Sequence, residues 1–144
     1  MSTRMNKAAL HEAETVVNVP FHDVDSAGIV WHGHYVKYLE VARCVLLDKV
    51  DYSYNRMLES GYIWPVIDMQ LRYVKAVKFA ETVRIRARLI EWEHRLKLDY
   101  LISNAITGAR VCKAWTVQVA VNARTGEMCL RSPDVFLERL GLGD

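Results

Sequence analysis

One segment with a wide apolar face constrains the fold of this chain more than any other. Placed on a helical wheel at about 100° per residue, residues 33–50 put their apolar side chains on one arc of about 200°. The arc contains Val45, Ala42, Tyr35, Leu46, Leu39, Val50, Val36 and Leu47. A helix lying on a protein surface needs a narrower apolar face. We therefore expect this helix, about 27 Å long, to be enclosed by other elements on most sides. Arg43 lies inside the arc one turn from Glu40, which predicts a partly buried ion pair.

The chain after this helix is dominated by patterns typical of antiparallel strands. The clearest covers residues 82–93, where apolar side chains alternate with three arginines, Arg84, Arg86 and Arg88. Residues 95–104 repeat the alternation, so the two segments form a predicted hairpin through His94.

Three further extended segments and two short helices complete the predicted order of elements. The extended segments are residues 12–21, residues 62–79 with a bend at 68–70, and residues 109–122, followed by a short final strand. A helical turn ends at Gly61, and a last helix, residues 134–140, has Ser132 as its predicted N-cap. This order predicts an α+β domain in which one long central helix is wrapped by a curled antiparallel β-sheet of five or six strands.

Composition limits the class of protein. A chain of 144 residues that is 51% hydrophobic predicts one domain with a substantial core, here residues 12–144 after a disordered lead at residues 1–11. The net charge of +2 does not favour nucleic-acid binding. Because the sequence has no run of 18 apolar residues and no apolar stretch typical of a signal peptide, we expect a cytoplasmic protein that does not enter a membrane. The three cysteines are widely spaced, and we interpret them as small hydrophobic residues.

The loop that precedes the long helix has the composition of a catalytic segment. Gly28 and Gly33 allow tight turns, and the backbone N–H groups of residues 32–35 would lack partners inside the helix. Such N–H groups at the positive end of a helix dipole can stabilise an oxyanion. The nearby carboxylates of Asp23 and Asp25 could attack a carbonyl or activate water, which predicts acyl-transfer chemistry.

The residues of this loop and helix carry a resemblance to a known family. The string D-x-D-S-A-G-I-V-W-H-x-x-Y from Asp23 to Tyr35, followed by Y-L-E-V-A-R, resembles the signature of hot-dog-fold acyl-CoA thioesterases of the 4-hydroxybenzoyl-CoA thioesterase type. Their pattern is D-x-D-x-x-G-x-V-x-x-x-x-Y-x-x-x-x-E-x-x-R. The resemblance implies a hot-dog fold over almost the whole chain and hydrolysis of an acyl-CoA or acyl-carrier-protein thioester without a cofactor. The chain departs from many relatives at Ala76, where they have proline.

The resemblance also implies roles for individual residues. Asp25 matches the second aspartate of the pattern, which acts as nucleophile or general base, and the backbone N–H of His32 matches the group that polarises the thioester carbonyl. Each has a structural alternative, since Asp25 could only shape the loop and His32 could be a surface residue. The predicted substrate-binding residues are Gly33, Tyr35, Trp31 and Arg88.

Two of these assignments rest on particular features of the side chains. Tyr35 lies on the apolar arc, which favours packing. Arg88 belongs to the basic face of its strand, which could contact coenzyme A phosphates or an acidic carrier protein, or could simply be solvated.

Other functions remain open at this point. The cluster of His22, Asp23, Asp25, His32 and His34 could bind a metal, but it lacks helical histidine spacing, so no metal is predicted. A hot-dog dehydratase acting on 3-hydroxyacyl thioesters and a non-catalytic acyl-thioester-binding protein are alternatives. The resemblance further implies a homodimer or homotetramer that builds the acyl site across two chains.

Overall fold

An open antiparallel sheet with one long helix packed across it organises the protein, and the computed structural model describes residues 8–142. The strands are β1 (His11–Asn18), β2 (Tyr62–Ile63), β3 (Val66–Tyr73), β4 (Thr82–Glu91), β5 (Leu96–Asn104), β6 (Arg110–Gln118) and β7 (Val121–Asn122). The helices are α1 (Tyr35–Lys49), α2 (Tyr54–Glu59) and α3 (Asp134–Arg139), and two 3₁₀ turns span Phe21–Asp23 and His32–His34.

The main sheet has five strands in the order β1-β4-β5-β6-β3, and every pair is antiparallel. Strands β1 and β3 lie at its edges, and β2 pairs with β7 in a separate two-stranded sheet. Because side chains alternate between the faces of a strand, Val83, Ile85, Ala87 and Leu89 of β4 enter the core with α1, and the intervening arginines lie on the opposite face. The predicted α+β architecture and strand number are confirmed.

Helix α1 buries one face and leaves the other open. Its buried residues are Tyr35, Tyr38, Leu39, Ala42, Arg43, Leu46 and Leu47. Val41 and Val45, on the far side, are exposed, so the expectation that the helix is enclosed on most sides is wrong for the single chain. The reason is that the sheet covers one side of the helix only. The predicted Arg43–Glu40 pair is present at 3.4 Å, and Arg43 Nε also donates to Tyr54 Oη at 2.9 Å.

Two predicted extended segments are each divided between the two sheets. Residues 62–79 form β2 and β3, separated by Trp64 and Pro65, and the irregularity in β3 falls between Val66 and Asp68, earlier than the predicted bend. The break follows from burial, since the Trp64 ring is in the core and its Nε1–H donates to Tyr52 Oη at 3.2 Å. Residues 109–122 are likewise divided into β6 and β7.

The ends of the described region also differ from expectation in detail. Ser132 does not cap α3, because its hydroxyl donates to the backbone carbonyl of Trp92 at 2.6 Å and Pro133 occupies the N-cap position. The predicted short final strand is a single bridge between Val121 and Met128. Strand β1 begins at His11, inside the predicted lead, of which residues 1–7 lie outside the described region.

Within residues 8–142, no helix is long and apolar enough to cross a lipid bilayer. The cytoplasmic location stays a prediction.

Candidate active site at the hairpin before helix α1

The loop that carries the predicted catalytic residues is a short, regular hairpin, residues 23–31. Asp25 N–H donates to the Ile29 carbonyl at 2.8 Å, Gly28 N–H to the Asp25 carbonyl at 2.9 Å, and Trp31 N–H to the Asp23 carbonyl at 3.1 Å. Gly28 has a φ of +79°, a left-handed conformation that favours glycine at the turn. The returning arm is fixed to the connection between β3 and β4, because Val30 N–H donates to the Val77 carbonyl at 2.8 Å. The hairpin is therefore held by backbone bonds on both sides.

Asp25 lies at the turn of this hairpin and is exposed to solvent. Its Oδ1 accepts a hydrogen bond from the Ala27 N–H at 2.8 Å, which is a loop-shaping contact of the kind considered as the structural alternative. Its Oδ2 has no partner among residues 8–142. One oxygen of the carboxylate is thus fixed in direction by the turn and the other is available to a ligand. The catalytic role of Asp25 stays a prediction.

The backbone donors predicted for the oxyanion are only partly free. The 3₁₀ turn at His32–His34 uses two of them, since His34 N–H donates to the Trp31 carbonyl at 2.9 Å and Tyr35 N–H donates to the His32 carbonyl. For those two residues the expectation was wrong, because the tight turn supplies acceptors that a regular α-helical start would not. The N–H groups of His32 and Gly33 have no acceptor within the described residues.

A buried carboxylate joins the hairpin to the first turn of α1. Asp23 is fully buried, and its two oxygens accept hydrogen bonds from Lys37 Nζ and Tyr38 Oη, each at 2.6 Å. Burial alone would raise the pKa of the Asp23 carboxyl, but hydrogen bonds from Lys37 and Tyr38, together with the charge of Lys37, hold that pKa below its usual value. Burial and the bond to Asp23 raise the pKa of Tyr38, so the phenol stays protonated and donates.

The sequence did not identify this contact of Asp23. An aspartate in a loop normally bonds to nearby backbone, whereas the partners here are 14 and 15 residues further along the chain. The available signal was a lysine in the first turn of α1, where the helix dipole does not favour a cation unless it has an acidic partner.

The predicted substrate-binding residues of this region have different environments. Tyr35 is buried, and its ring meets that of Tyr73 edge-on at 5.2 Å, which supports packing. Tyr73 Oη in turn donates to the His32 carbonyl at 2.9 Å and so fixes the turn to the end of β3. Trp31 is half exposed beside His32 and His34. A Cβ on Gly33 would overlap the Trp31 ring, so glycine is needed for this ring position.

Arg88 is not near the hairpin. It lies on the face of the sheet turned away from α1, where its guanidinium makes two hydrogen bonds to Asp99 at 3.0 and 2.8 Å. The structure therefore brings Asp25, Trp31, His32, Gly33 and Tyr35 into one region and leaves Arg88 outside it. A role for Arg88 in binding the substrate stays a prediction.

The five candidate metal ligands do not converge. Asp23 is occupied by Lys37 and Tyr38, while Asp25 is exposed at the turn. Across residues 8–142 no three histidine, cysteine or acidic side chains are placed to hold one metal ion.

Comparison with known proteins agrees with this geometry. The family model described as the thioesterase-like superfamily matches residues 19–140. "Putative esterase sll0410" of Synechocystis sp. is 30% identical over 128 residues, which are 88% of this chain and 77% of that protein. "Putative acyl-CoA thioesterase YneP" of Bacillus subtilis is 30% identical over 73 residues, which are 51% of this chain and 53% of that protein.

A solved structure extends the likeness to the fold. The crystal structure of a DHNA-CoA thioesterase from Staphylococcus aureus has a TM-score of 0.76 and 25% identity, and the match covers 83% of this chain and 80% of that one. The predicted hot-dog fold is confirmed, with its sheet left open. Because the family model spans most of the sequence, the chain belongs to the thioesterase-like superfamily and is, as its sequence predicts, a thioester hydrolase.

Proposed function

We propose that the chain hydrolyses an acyl-CoA thioester, or the equivalent acyl-carrier-protein thioester, to a free acid and a thiol, with Asp25 as the nucleophile or general base. The observation that carries the proposal is the hairpin itself. It presents a carboxylate with one oxygen fixed by Ala27 N–H and the other without a partner among residues 8–142. It leads directly into the N–H groups of His32 and Gly33, which have no acceptor in the same part of the chain.

In this mechanism the thioester oxygen accepts hydrogen bonds from the His32 and Gly33 N–H groups. These donors stabilise the negative charge that develops on the oxygen when the carbonyl carbon is attacked, an interaction typically worth a factor of about 10² to 10³ in rate per donor. Asp25 Oδ2 either attacks that carbon or removes a proton from the water that does so. A thiolate is a good leaving group, so one carboxylate and an oxyanion site can suffice without a triad.

The coenzyme A form of the substrate is supported by the relatives. The Bacillus subtilis relative is named for acyl-CoA and the Staphylococcus aureus structure for DHNA-CoA. Trp31, half exposed next to Gly33, is the aromatic side chain best placed to contact an acyl group.

A second copy of the chain is part of the proposal. In the single chain, Asp25 and the aromatic residues around the hairpin are open to solvent, including Phe21 and Phe79, whose rings meet edge-on at 5.5 Å. Within residues 8–142, strand β3 pairs with β6 alone, so its outer edge is unpaired there, and Val66 and Ile67 on it are exposed. An edge of this kind favours pairing with another chain. A homodimer formed there, alone or within a homotetramer, would enclose an acyl site that one chain leaves open.

The test is release of free thiol from a series of acyl-CoA and acyl-carrier-protein thioesters, followed with a chromogenic thiol reagent. Asp25→Asn keeps an acceptor for the Ala27 N–H and removes the charge, so we expect the fold to persist and turnover to fall by about 10² or more. Asp48→Asn, an exposed aspartate on α1, is the matched control and should be fully active.

The same assay separates the alternatives. Undiminished hydrolysis by Asp25→Asn would reject the assignment of the carboxylate. Tight binding of acyl-CoA without thiol release would favour a non-catalytic binding protein, and loss of water from a 3-hydroxyacyl-CoA would favour a dehydratase.

A further inference from the structure

The face of the sheet turned away from α1 carries a basic cleft whose lining contains no residue of the hairpin before α1. The cavity has a volume of about 190 Å³. Its charged lining is Arg72, Arg86, Arg88, Lys97, Lys113 and Asp99, five cations against one carboxylate. We call this the outer cleft. So many like charges at one place on a sheet repel one another unless something balances them.

Two of the five cations are balanced inside the protein. Arg88 is paired with Asp99 at 2.8 Å. Lys97 lies 3.8 Å from Glu91 and 4.8 Å from the centre of the Trp115 ring, over whose face it makes a cation–π contact.

The other three cations form a row across the sheet. Arg86 is opposite Leu101, Leu101 is opposite Lys113, and Lys113 is opposite Arg72 in the registers of successive strands. None of the three has an ion pair or side-chain hydrogen bond within residues 8–142. Adjacent strands are about 4.8 Å apart, so long basic side chains in this row can converge on one small anion.

Arg86 gives an independent reason to expect a ligand. Its Nε–H is buried and has no acceptor in the described part of the chain. Glu14, which is opposite Arg86 on β1, instead approaches Arg84 at 3.6 Å. A buried donor without an acceptor is unfavourable, and the group that satisfies it is normally a water, an ion or a ligand.

We propose that the outer cleft is a binding site for a phosphate or diphosphate group, separate from the hairpin of the thioesterase site. Three cations without a partner in the described part of the chain match a phosphate ester with its charge of about −2 better than a carboxylate of −1. Guanidinium groups also bind phosphate oxygens in pairs. The volume is below the roughly 300 Å³ at which pockets enclose a whole drug-sized ligand, so the cleft would hold the phosphorylated end of a larger molecule. Ile90 and Trp115, also in the lining, offer apolar contact beside it.

Inorganic pyrophosphate is the probe, titrated into the full chain by calorimetry at low ionic strength. We expect wild-type protein to bind with a Kd of about 1 mM or tighter, and Arg86→Gln and Lys113→Met each to weaken binding at least about tenfold by removing charge-assisted hydrogen bonds. Arg84→Gln is the matched control, because Arg84 lies on the same strand face, is paired with Glu14 and does not line the cleft. It should bind within about twofold of wild type. Because calorimetry measures binding and not turnover, its result tests the outer cleft independently of the thioesterase proposal.

The source of the phosphate group is decided by kinetics with acyl-CoA. If the outer cleft receives the diphosphate of coenzyme A, pyrophosphate competes with acyl-CoA and Arg86→Gln raises KM with little change in kcat. If it receives a separate phosphorylated metabolite, Arg86→Gln loses pyrophosphate binding while KM is unchanged. Either result supports the site. Absence of pyrophosphate binding by the wild type, or equal binding by wild type, Arg86→Gln and Lys113→Met, would overturn it.

Discussion

The buried contact between Asp23 and α1 gives the sharpest stability prediction. Replacing Asp23 with alanine removes both hydrogen bonds that hold the hairpin to the helix. The two partners respond differently. Tyr38 is 2% exposed, so its hydroxyl loses its acceptor inside the protein, whereas the Lys37 side chain is 48% exposed and its ammonium can return to water.

The magnitude follows from these environments. Stranding the buried Tyr38 hydroxyl costs about 2–3 kcal/mol, and losing the half-exposed Lys37 pair costs up to about 1 kcal/mol. Because burying a carboxylate is itself unfavourable, removing the Asp23 carboxylate offsets part of this destabilisation. We expect a net loss of about 2–3 kcal/mol in the free energy of unfolding, which for a chain of this size lowers Tm by about 10 °C.

Urea denaturation of wild type, Asp23→Ala, Tyr38→Phe and the double variant measures this loss and the coupling between the two side chains. The pH dependence is a second readout. The pKa of Asp23 is lowered on folding, so the unfolded chain binds more protons and stability rises with pH. The contribution of Asp23 is complete above about pH 5 and is lost as the pH falls through and below about 4, so the wild type and Asp23→Ala should converge in acid. The reasoning would be refuted if Asp23→Ala lost less than about 1 kcal/mol in the free energy of unfolding at pH 7. It would also be refuted if the difference in stability between wild type and Asp23→Ala did not shrink in acid.

Three further predictions concern the site and the assembly. Gly33→Ala should displace the half-exposed Trp31 ring and lower kcat/KM more than about tenfold while changing stability by less than about 1 kcal/mol; unaltered kinetics would show that the ring position does not matter. Ile67→Lys places a charge on the exposed edge of β3 and should reduce the molar mass measured by light scattering to that of one chain, and an unchanged mass would place the interface elsewhere. Hydrolysis should be undiminished after dialysis against a chelator, because the mechanism that we propose uses no metal, and activity restored only by added zinc would contradict this.

Local sequence patterns predicted the main strands and helices well, since such patterns involve only residues that are close in the sequence. The hairpin of β4 and β5 around His94 is an example, because its two alternating segments and its turn are all encoded within about 25 residues. The turn of the signature loop was likewise predicted. In that loop, Gly28 has the left-handed conformation expected of a glycine turn.

The features that the sequence did not predict depend on contacts between elements that are distant along the chain. The helical wheel of α1 shows which residues are apolar but not what covers them, so the exposure of Val41 and Val45 was not foreseen. The burial of Asp23 depends on Lys37 and Tyr38 reaching it from another element. The position of Arg88 relative to the loop could not be predicted either. The alternation of apolar and basic residues places Arg88 on one face of its strand but does not show which face adjoins the loop.

Two consecutive residues at the end of β3 lie on opposite faces of the sheet. Tyr73 bonds to the carbonyl of His32, and Arg72 lines the outer cleft. Inserting or deleting a single residue in this strand would exchange their orientations, carrying a phenol into the basic cavity and a guanidinium towards the core. We therefore expect natural or engineered changes of chain length to be tolerated at turns such as Thr107–Gly108 and rejected within β3.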